Sequence, residues 1–235
     1  MLKVVVLYPD LLGTYGDGGN AAVLAGRARA RGIDLEVEEV TIGAIIPSAS
    51  LYLLGGGEDG PQRLACDLLS EGGLIDRFNE GANVFAVCAG LQILGTSFSI
   101  EGDASYPGLG FVAATTTRGL SRSVGDFVTD VQGRMMVGFE NHGGVTVLGE
   151  GVSALGDVVL GRGNDGRVDG FRAPRLIATY AHGPVLAQNP WLADELLSEI
   201  TGQELAPWSS VADRLYSERC ALLSTRRSDA GRIGG

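Results

Sequence analysis

The chain predicts an α/β fold with a mostly parallel sheet flanked by helices, and three observations carry that expectation. Short apolar runs alternate with helical stretches through the first hundred residues. Lys3–Tyr8 is a short apolar run, as a buried parallel strand is, Leu35–Val40 alternates, and Leu51–Leu54 leads into the glycine-rich turn Gly55-Gly56-Gly57. The stretch Gly110–Val159 differs, being rich in Val, Thr and Gly, and reads as short strands and hairpins in a mixed or antiparallel extension.

Taken in order, Lys3–Tyr8 is a short apolar run and the first strand. A loop over Asp10–Gly19 follows, and Asn20 is placed to cap a helix ending near Gly32. Leu35–Val40 is a second strand and Leu51–Leu54 a third. Pro61 suits the first turn of a helix extending to about Glu80. Asn83–Val87 is a fourth strand, and a helix starts just past Cys88. Leu176–Tyr180 returns as a strand that delivers His182, and helical spacing resumes over Pro190–Ile200 and Val211–Leu223. In such a doubly wound sheet the ligand site lies at the carboxyl ends of the strands. One domain is expected over residues 1–225, with 226–235, which hold Arg226, Arg227 and Arg232, as a flexible tail.

Composition narrows the classes. With 235 residues the chain can bury a full core without disulfides or a structural metal. A net charge of -10 argues against a nucleic-acid binder. The three cysteines, Cys66, Cys88 and Cys220, are widely spaced and form no C-x-x-C, so neither a disulfide framework nor a metal site is expected, and a reducing cytoplasm is. The apolar run Val4–Leu7 follows the first residues directly, with no basic region ahead of a long apolar stretch, so no signal peptide is expected.

The sharpest local signal is Phe85-Ala86-Val87-Cys88-Ala89-Gly90-Leu91-Gln92, a strand ending on a nucleophile-type residue with a helix starting at once between small residues. Sulfur at a helix N-terminus is favoured as thiolate, and the Ala89 N–H is then free to donate toward an oxyanion. Gly56 or Gly57 would supply a second donor from the neighbouring strand end, where a side chain would obstruct substrate. Cys66 and Cys220 sit inside helical patterns and read as structural. Of the only two histidines, His182 at a strand end suits a general base, while His142 lies in a turn between strands.

Together Tyr15-Gly16-Asp17-Gly18-Gly19-Asn20, Gly55-Gly56-Gly57, Val87-Cys88-Ala89-Gly90, Gly138-Phe139-Glu140-Asn141-His142-Gly143-Gly144 and Tyr180-Ala181-His182-Gly183-Pro184 resemble the class I, triad-type glutamine amidotransferases. The likeness is to the branch with cobyric acid synthase-like domains, and within it to GatD-type glutaminase subunits of lipid II isoglutaminyl synthases. It implies a flavodoxin-like class I glutamine amidotransferase fold and hydrolysis of L-glutamine to glutamate and ammonia. Many triad enzymes carry a glutamate two residues past the histidine, whereas Pro184 stands there in this chain. Asp17 is the in-chain candidate to orient His182, with an aspartate of a partner subunit as its rival. The resemblance further implies that Arg122, Gln92, Asn141 and His142 bind substrate, Arg122 gripping the α-carboxylate, with Arg118 an alternative. The sequence has no Gly-x-x-x-x-Gly-Lys-Ser/Thr loop. The resemblance puts ATP and Mg2+ on a MurT-type, Mur-ligase-like synthetase partner in a heterodimer, with lipid II as acceptor. A corrinoid acceptor, or a silent glutamine-binding regulatory module, is the alternative.

Overall fold

The computed structural model describes residues 1–99 and 105–233, with side chains to residue 223. The first half runs β1 (Leu2–Leu7), α1 (Pro9–Leu12), α2 (Gly19–Ala30), β2 (Leu35–Val40), β3 (Leu51–Leu54), α3 (Asp59–Glu71), α4 (Leu74–Asn79), β4 (Asn83–Val87) and α5 (Ala89–Leu94). A second group of strands follows: β5 (Ser97–Ser99), β6 (Ser105–Pro107), β7 (Ala114–Val131), β8 (Arg134–Leu148), β9 (Gly156–Leu160) and β10 (Val168–Asp169). The chain then rejoins the first body through β11 (Phe171–Ala173), β12 (Leu176–Thr179), α6 (Val185–Gln188), α7 (Pro190–Thr201) and α8 (Val211–Ile233).

The main sheet has the order β11-β12-β4-β3-β1-β2 and is parallel except for the β11–β12 pair. Every residue of β3, β4 and β12 is buried, as the unbroken apolar runs require of strands covered on both faces. Because β1, β3, β4 and β12 run in the same direction, the loops after them open along one edge. Tyr15–Gly19, Gly55–Gly57, Cys88 and His182 all emerge there.

The middle of the chain departs from the expected short hairpins. It forms a second sheet of order β10-β9-β7-β5-β6, with β8 on β7 in a long antiparallel ribbon. The register of that ribbon shifts between Arg118 and Ser123, so β7 bulges beside the strand-end edge of the main sheet. The two sheets meet at His182, whose N–H donates to Phe139 O at 2.8 Å while its carbonyl accepts from Phe139 N–H at 3.4 Å.

Three other expectations need correction. The helix expected from Pro61 to Glu80 is two helices, split at Gly72-Gly73, where Gly73 takes a left-handed φ of 73°. Asn20 does not cap α2. It lies within the first turn, and its side chain accepts from Leu186 N–H at 2.9 Å, tying α2 to α6. Helix α8 extends to Ile233, ten residues beyond the Leu223 at which its spacing signal ended. The start of α8 is anchored by Asp213, which with Asp194 of α7 binds the buried Arg27 of α2 at 3.1 and 2.6 Å.

Gly90 marks the closest approach of α5 to β3. A Cβ there would stand 2.7 Å from Leu54 Cβ and 3.0 Å from Leu54 O, and its N–H donates to Gly55 O at 3.1 Å. Gly90→Ala is therefore expected to destabilise the protein by roughly 1–3 kcal/mol, the usual cost of overpacking a close contact. Urea denaturation checks this, and a midpoint equal to wild type would mean that α5 moves away freely.

Candidate active site

Cys88 sits between β4 and α5 with φ 51° and ψ -104°, a conformation that non-glycine residues rarely hold. Its N–H donates to Thr179 O at 2.9 Å and its carbonyl accepts from Gln92 N–H at 3.0 Å, so backbone bonds on both sides hold the turn. The sulfur faces a cavity of about 340 Å3, which Gly57, Ala89, Gln92, Arg118, Arg122, Asn141 and His142 also line.

His182 is fully buried. Its Nδ1 donates to Asp17 Oδ2 at 3.1 Å, which fixes the ring and leaves Nε2 without a hydrogen-bond partner among the described residues. Burial works to lower the pKa of this imidazole, but the Asp17 bond and the adjacent Cys88 sulfur outweigh it and raise the value to about 9. Two aromatic rings enclose His182: Tyr15, with centroids 4.6 Å apart, and Phe139, stacked at 5.4 Å. Gly56 completes the enclosure, since a Cβ there would stand 2.5 Å from His182 Cε1.

The expected oxyanion donors divide. Gly56 N–H donates to Asp17 Oδ2 at 2.9 Å, so it is committed to orienting the carboxylate and is not available to an oxyanion. Gly57 and Ala89, both on the cavity wall beside Cys88, keep N–H groups with no partner among the described residues.

The expected substrate-binding residues also gather at this cavity. Arg122 lies on the β7 bulge, where its Nε donates to Asn141 Oδ1 at 2.6 Å and its Nη2 to Tyr15 OH at 2.8 Å. Arg118 lines the same cavity. Gln92 accepts from Gln62 Nε2 at 2.9 Å and donates to Tyr180 OH at 3.1 Å. His142 is locked more firmly than a lone ligand contact would need. It bonds Gly144 O at 3.0 Å and Glu140 Oε2 at 3.2 Å and stacks on the Tyr180 ring at 3.9 Å. Burial would raise the Glu140 carboxyl, but His142 and the N–H groups of Gly163 and Arg162 hold it below the usual range. The roles of Tyr15, Phe139, Gln62 and Tyr180 went unread in the sequence, although Tyr15, Phe139 and Tyr180 lie inside motifs that drew attention. No cluster of metal-ligating side chains occurs among the described residues. None of the described helices is long and apolar enough to cross a membrane.

Comparison with known proteins agrees with this geometry. The CobB/CobQ-like glutamine amidotransferase domain matches residues 3–190. A subunit named GatD of lipid II isoglutaminyl synthase (glutamine-hydrolyzing) from Staphylococcus aureus is 34% identical over 215 residues, covering 88% of this chain and 87% of that protein. Its namesake from Streptococcus pneumoniae is 31% identical over 210 residues, covering 84% and 79%. A cobyric acid synthase from Pelotomaculum thermopropionicum is 34% identical over 122 residues, 44% of this chain and 23% of that enzyme. Among solved structures, a glutamine amidotransferase crystal structure has a TM-score of 0.55 at 23% identity, covering 84% of this chain and 98% of that one. PurLQS from Thermotoga maritima has a TM-score of 0.52 at 15% identity, covering 86% and 97%. These two likenesses show the fold.

The His182 environment has a measurable signature. With only two histidines in the chain, His142→Ala leaves a single imidazole to follow by NMR, and it should titrate near pH 9. Adding Asp17→Asn should move that titration to lower pH. The folded-state value lies above the ordinary 6.5, so the charged-His182 contribution is complete below about pH 6.5 and is lost as pH rises through about 9. An unmoved titration in Asp17→Asn would show that Asp17 does not set the state of His182.

Proposed function

The chain belongs to the CobB/CobQ-like glutamine amidotransferase family, and from that membership we propose a glutaminase subunit in which Cys88, His182 and Asp17 form the reacting triad. The observation that carries the assignment is the convergence of the three on one edge of the sheet, with Asp17 bonded to His182 and the Cys88 sulfur close enough to His182 to raise its pKa.

The chemistry runs as follows. The Cys88 sulfur, its proton carried by His182, attacks the side-chain amide carbon of L-glutamine, and the carbonyl oxygen becomes an oxyanion accepting from Ala89 and Gly57 N–H groups. His182, charged at neutral pH, gives its proton to the departing nitrogen, and ammonia leaves behind a thioester. The now neutral His182 takes a proton from water, whose oxygen attacks the thioester and releases glutamate. Asp17 orients the ring through both steps. Arg122 keeps its Nη1 N–H groups to grip the substrate α-carboxylate, with Asn141 holding the guanidinium plane, and Gln92 and His142 shape the wall beside it.

The ammonia acceptor is read from relatives. The GatD subunits align with most of this chain and over most of their own length, whereas the cobyric acid synthase aligns with a small part of its own. That supports a peptidoglycan precursor over a corrinoid. In this reading a Mur-ligase-like synthetase of the MurT type, holding ATP and Mg2+, uses the ammonia to amidate the D-glutamate of lipid II, giving D-isoglutamine. The work belongs in the cytoplasm, where ATP and glutamine are supplied.

Cys88→Ser should abolish glutamine hydrolysis with the fold intact, while Cys66→Ser and Cys220→Ser retain most of it. With the synthetase present, ammonium salts should restore ATP-dependent amidation to Cys88→Ser. Glutamine-dependent activity surviving in Cys88→Ser would remove the nucleophile assignment. Arg122→Ala deletes a charge-assisted contact worth about 1.5–3 kcal/mol, so kcat/KM for glutamine should fall by roughly one to two orders of magnitude. Unchanged kinetics there, with a loss in Arg118→Ala, would transfer the grip to Arg118.

A further inference from the structure

Asp169 is a fully buried carboxylate that the hydrolysis scheme does not use. It ends β10 in the second sheet and reaches across to β12 of the main sheet. Its Oδ2 accepts from Thr179 Oγ1 at 2.5 Å and its Oδ1 from Tyr180 N–H at 3.0 Å. Thr179 passes this hold on in two directions. Its hydroxyl oxygen accepts from Ala181 N–H at 2.9 Å, next to His182, and its carbonyl accepts from Cys88 N–H at 2.9 Å. Tyr180 adds a third path, because its OH accepts from Gln92 Nε2 at 3.1 Å on the cavity wall.

We infer that Asp169 is a positioning residue that sets the backbone carrying both Cys88 and His182, and that it does so only when ionised. The inference rests on the assignment of those two as the reacting pair. Counting donors gives the reason for ionisation. A carboxylate accepts from the Thr179 hydroxyl and the Tyr180 N–H at once, leaving a lone pair of Thr179 Oγ1 for Ala181 N–H. A protonated acid or an amide brings a donor of its own to Thr179 Oγ1. The Thr179 hydrogen then loses its acceptor at a fully buried position.

Burial works against the ionised form and, with Glu140 nearby, pushes the Asp169 carboxyl up to about 7 in spite of the bonds from Thr179 and Tyr180. The charged groups around it are few. Glu140 comes from β8 and is itself bonded to His142, Asp157 on β9 is exposed, and Asp165 and Arg167 on the preceding loop pair with each other. From β12 come only the hydroxyl and amide already named. Function and stability therefore pull in opposite directions near neutral pH. A carboxyl raised by folding favours the native state most when protonated, and that contribution is lost as pH rises through about 7.

The test follows iodoacetamide alkylation of Cys88 in the full-length chain between pH 5 and 9, in a Cys66→Ser/Cys220→Ser background, with melting temperature recorded alongside. At pH 8, Asp169→Asn should slow alkylation about tenfold, the effect of one misplaced hydrogen bond on a reacting group. The deficit should shrink toward pH 5, where the wild-type carboxyl is protonated too. Its melting temperature at pH 8 should equal or exceed wild type, which a merely structural aspartate would not allow. Thr179→Val, nearly isosteric, should reproduce the slow alkylation, and the double variant should be no worse than either single one. In glutamine turnover the loss should fall on kcat, with KM within about twofold. If Asp169→Asn does not fold, Thr179→Val decides alone. Wild-type rates at every pH in the folded variants overturn the inference while leaving the triad standing. Iodoacetamide labelling Cys66 as fast as Cys88 in the chain with all three cysteines overturns the nucleophile assignment and this inference with it.

Discussion

The hydrogen bond between Asp17 and His182 is the contact on which the rest of the site depends. Its partners lie 165 residues apart, after β1 and β12, which flank the pair β3–β4 in the sheet. For the bond to form, the loop after β1 must pass over the end of β3, and only a bare backbone there leaves room. Gly56 meets that demand twice, by having no Cβ against His182 Cε1 and by donating its N–H to the same carboxylate oxygen. The bond in turn points His182 Nε2 away from Asp17. Against the effect of burial, it and the adjacent Cys88 sulfur raise the imidazole to about 9, which in the proposed reaction puts the departing nitrogen's proton in place before substrate arrives.

That geometry explains why the elbow signal was readable in the sequence and parts of its surroundings were not. Cys88, Ala89 and Gly90 form a local pattern, because a strand, a strained residue and a helix must follow one another within a few positions. His182 was found by elimination, being one of two histidines and the one at a strand end. Asp17 came from the absence of the acid expected at Pro184. The choice between Gly56 and Gly57 stayed open in the sequence because glycine turns look alike there, and whether an N–H faces the cavity or a carboxylate is decided by a loop from another strand. The β7–β8 ribbon was missed for a related reason. Its glycines at 119, 125, 138, 143 and 144 read as turns, but several are places where another backbone or side chain presses close, as Gln92 Nε2 does within 2.6 Å of a Cβ at Gly144.

The buried polar groups behind the cavity were legible only in three dimensions. Thr116, Thr146, Tyr180, Gln92 and Gln62 form a continuous hydrogen-bonded chain from the second sheet to α3. In the sequence Gln92 and Tyr180 lie within motifs, but nothing there links them to Gln62, Thr116 and Thr146. Their satisfaction matters because an unpaired polar atom in such an interior costs more than a hydrogen bond gains. The chain thus specifies how the two sheets dock, and the cavity lies along their junction.

In the proposed reaction the same junction couples substrate recognition to the general base. Arg122 is half exposed, yet its Nε and Nη2 are already engaged by Asn141 and by the hydroxyl of Tyr15. Tyr15 is also bonded to Glu58 and lies against the face of His182. A carboxylate arriving at Nη1 therefore meets a guanidinium whose plane is fixed, so little side-chain entropy remains to be lost on binding. It also meets a cation that helps hold the aromatic cover of His182. A glutamine whose α-carboxylate met Arg122 would press on that cover from the cavity that Arg122 and Cys88 both line. A ligand without the carboxylate would leave Arg122 paired only with the protein. In the proposed reaction, selection for the amino acid and shielding of the base would thus draw on one side chain, an arginine on a strand bulge far from the elbow in sequence.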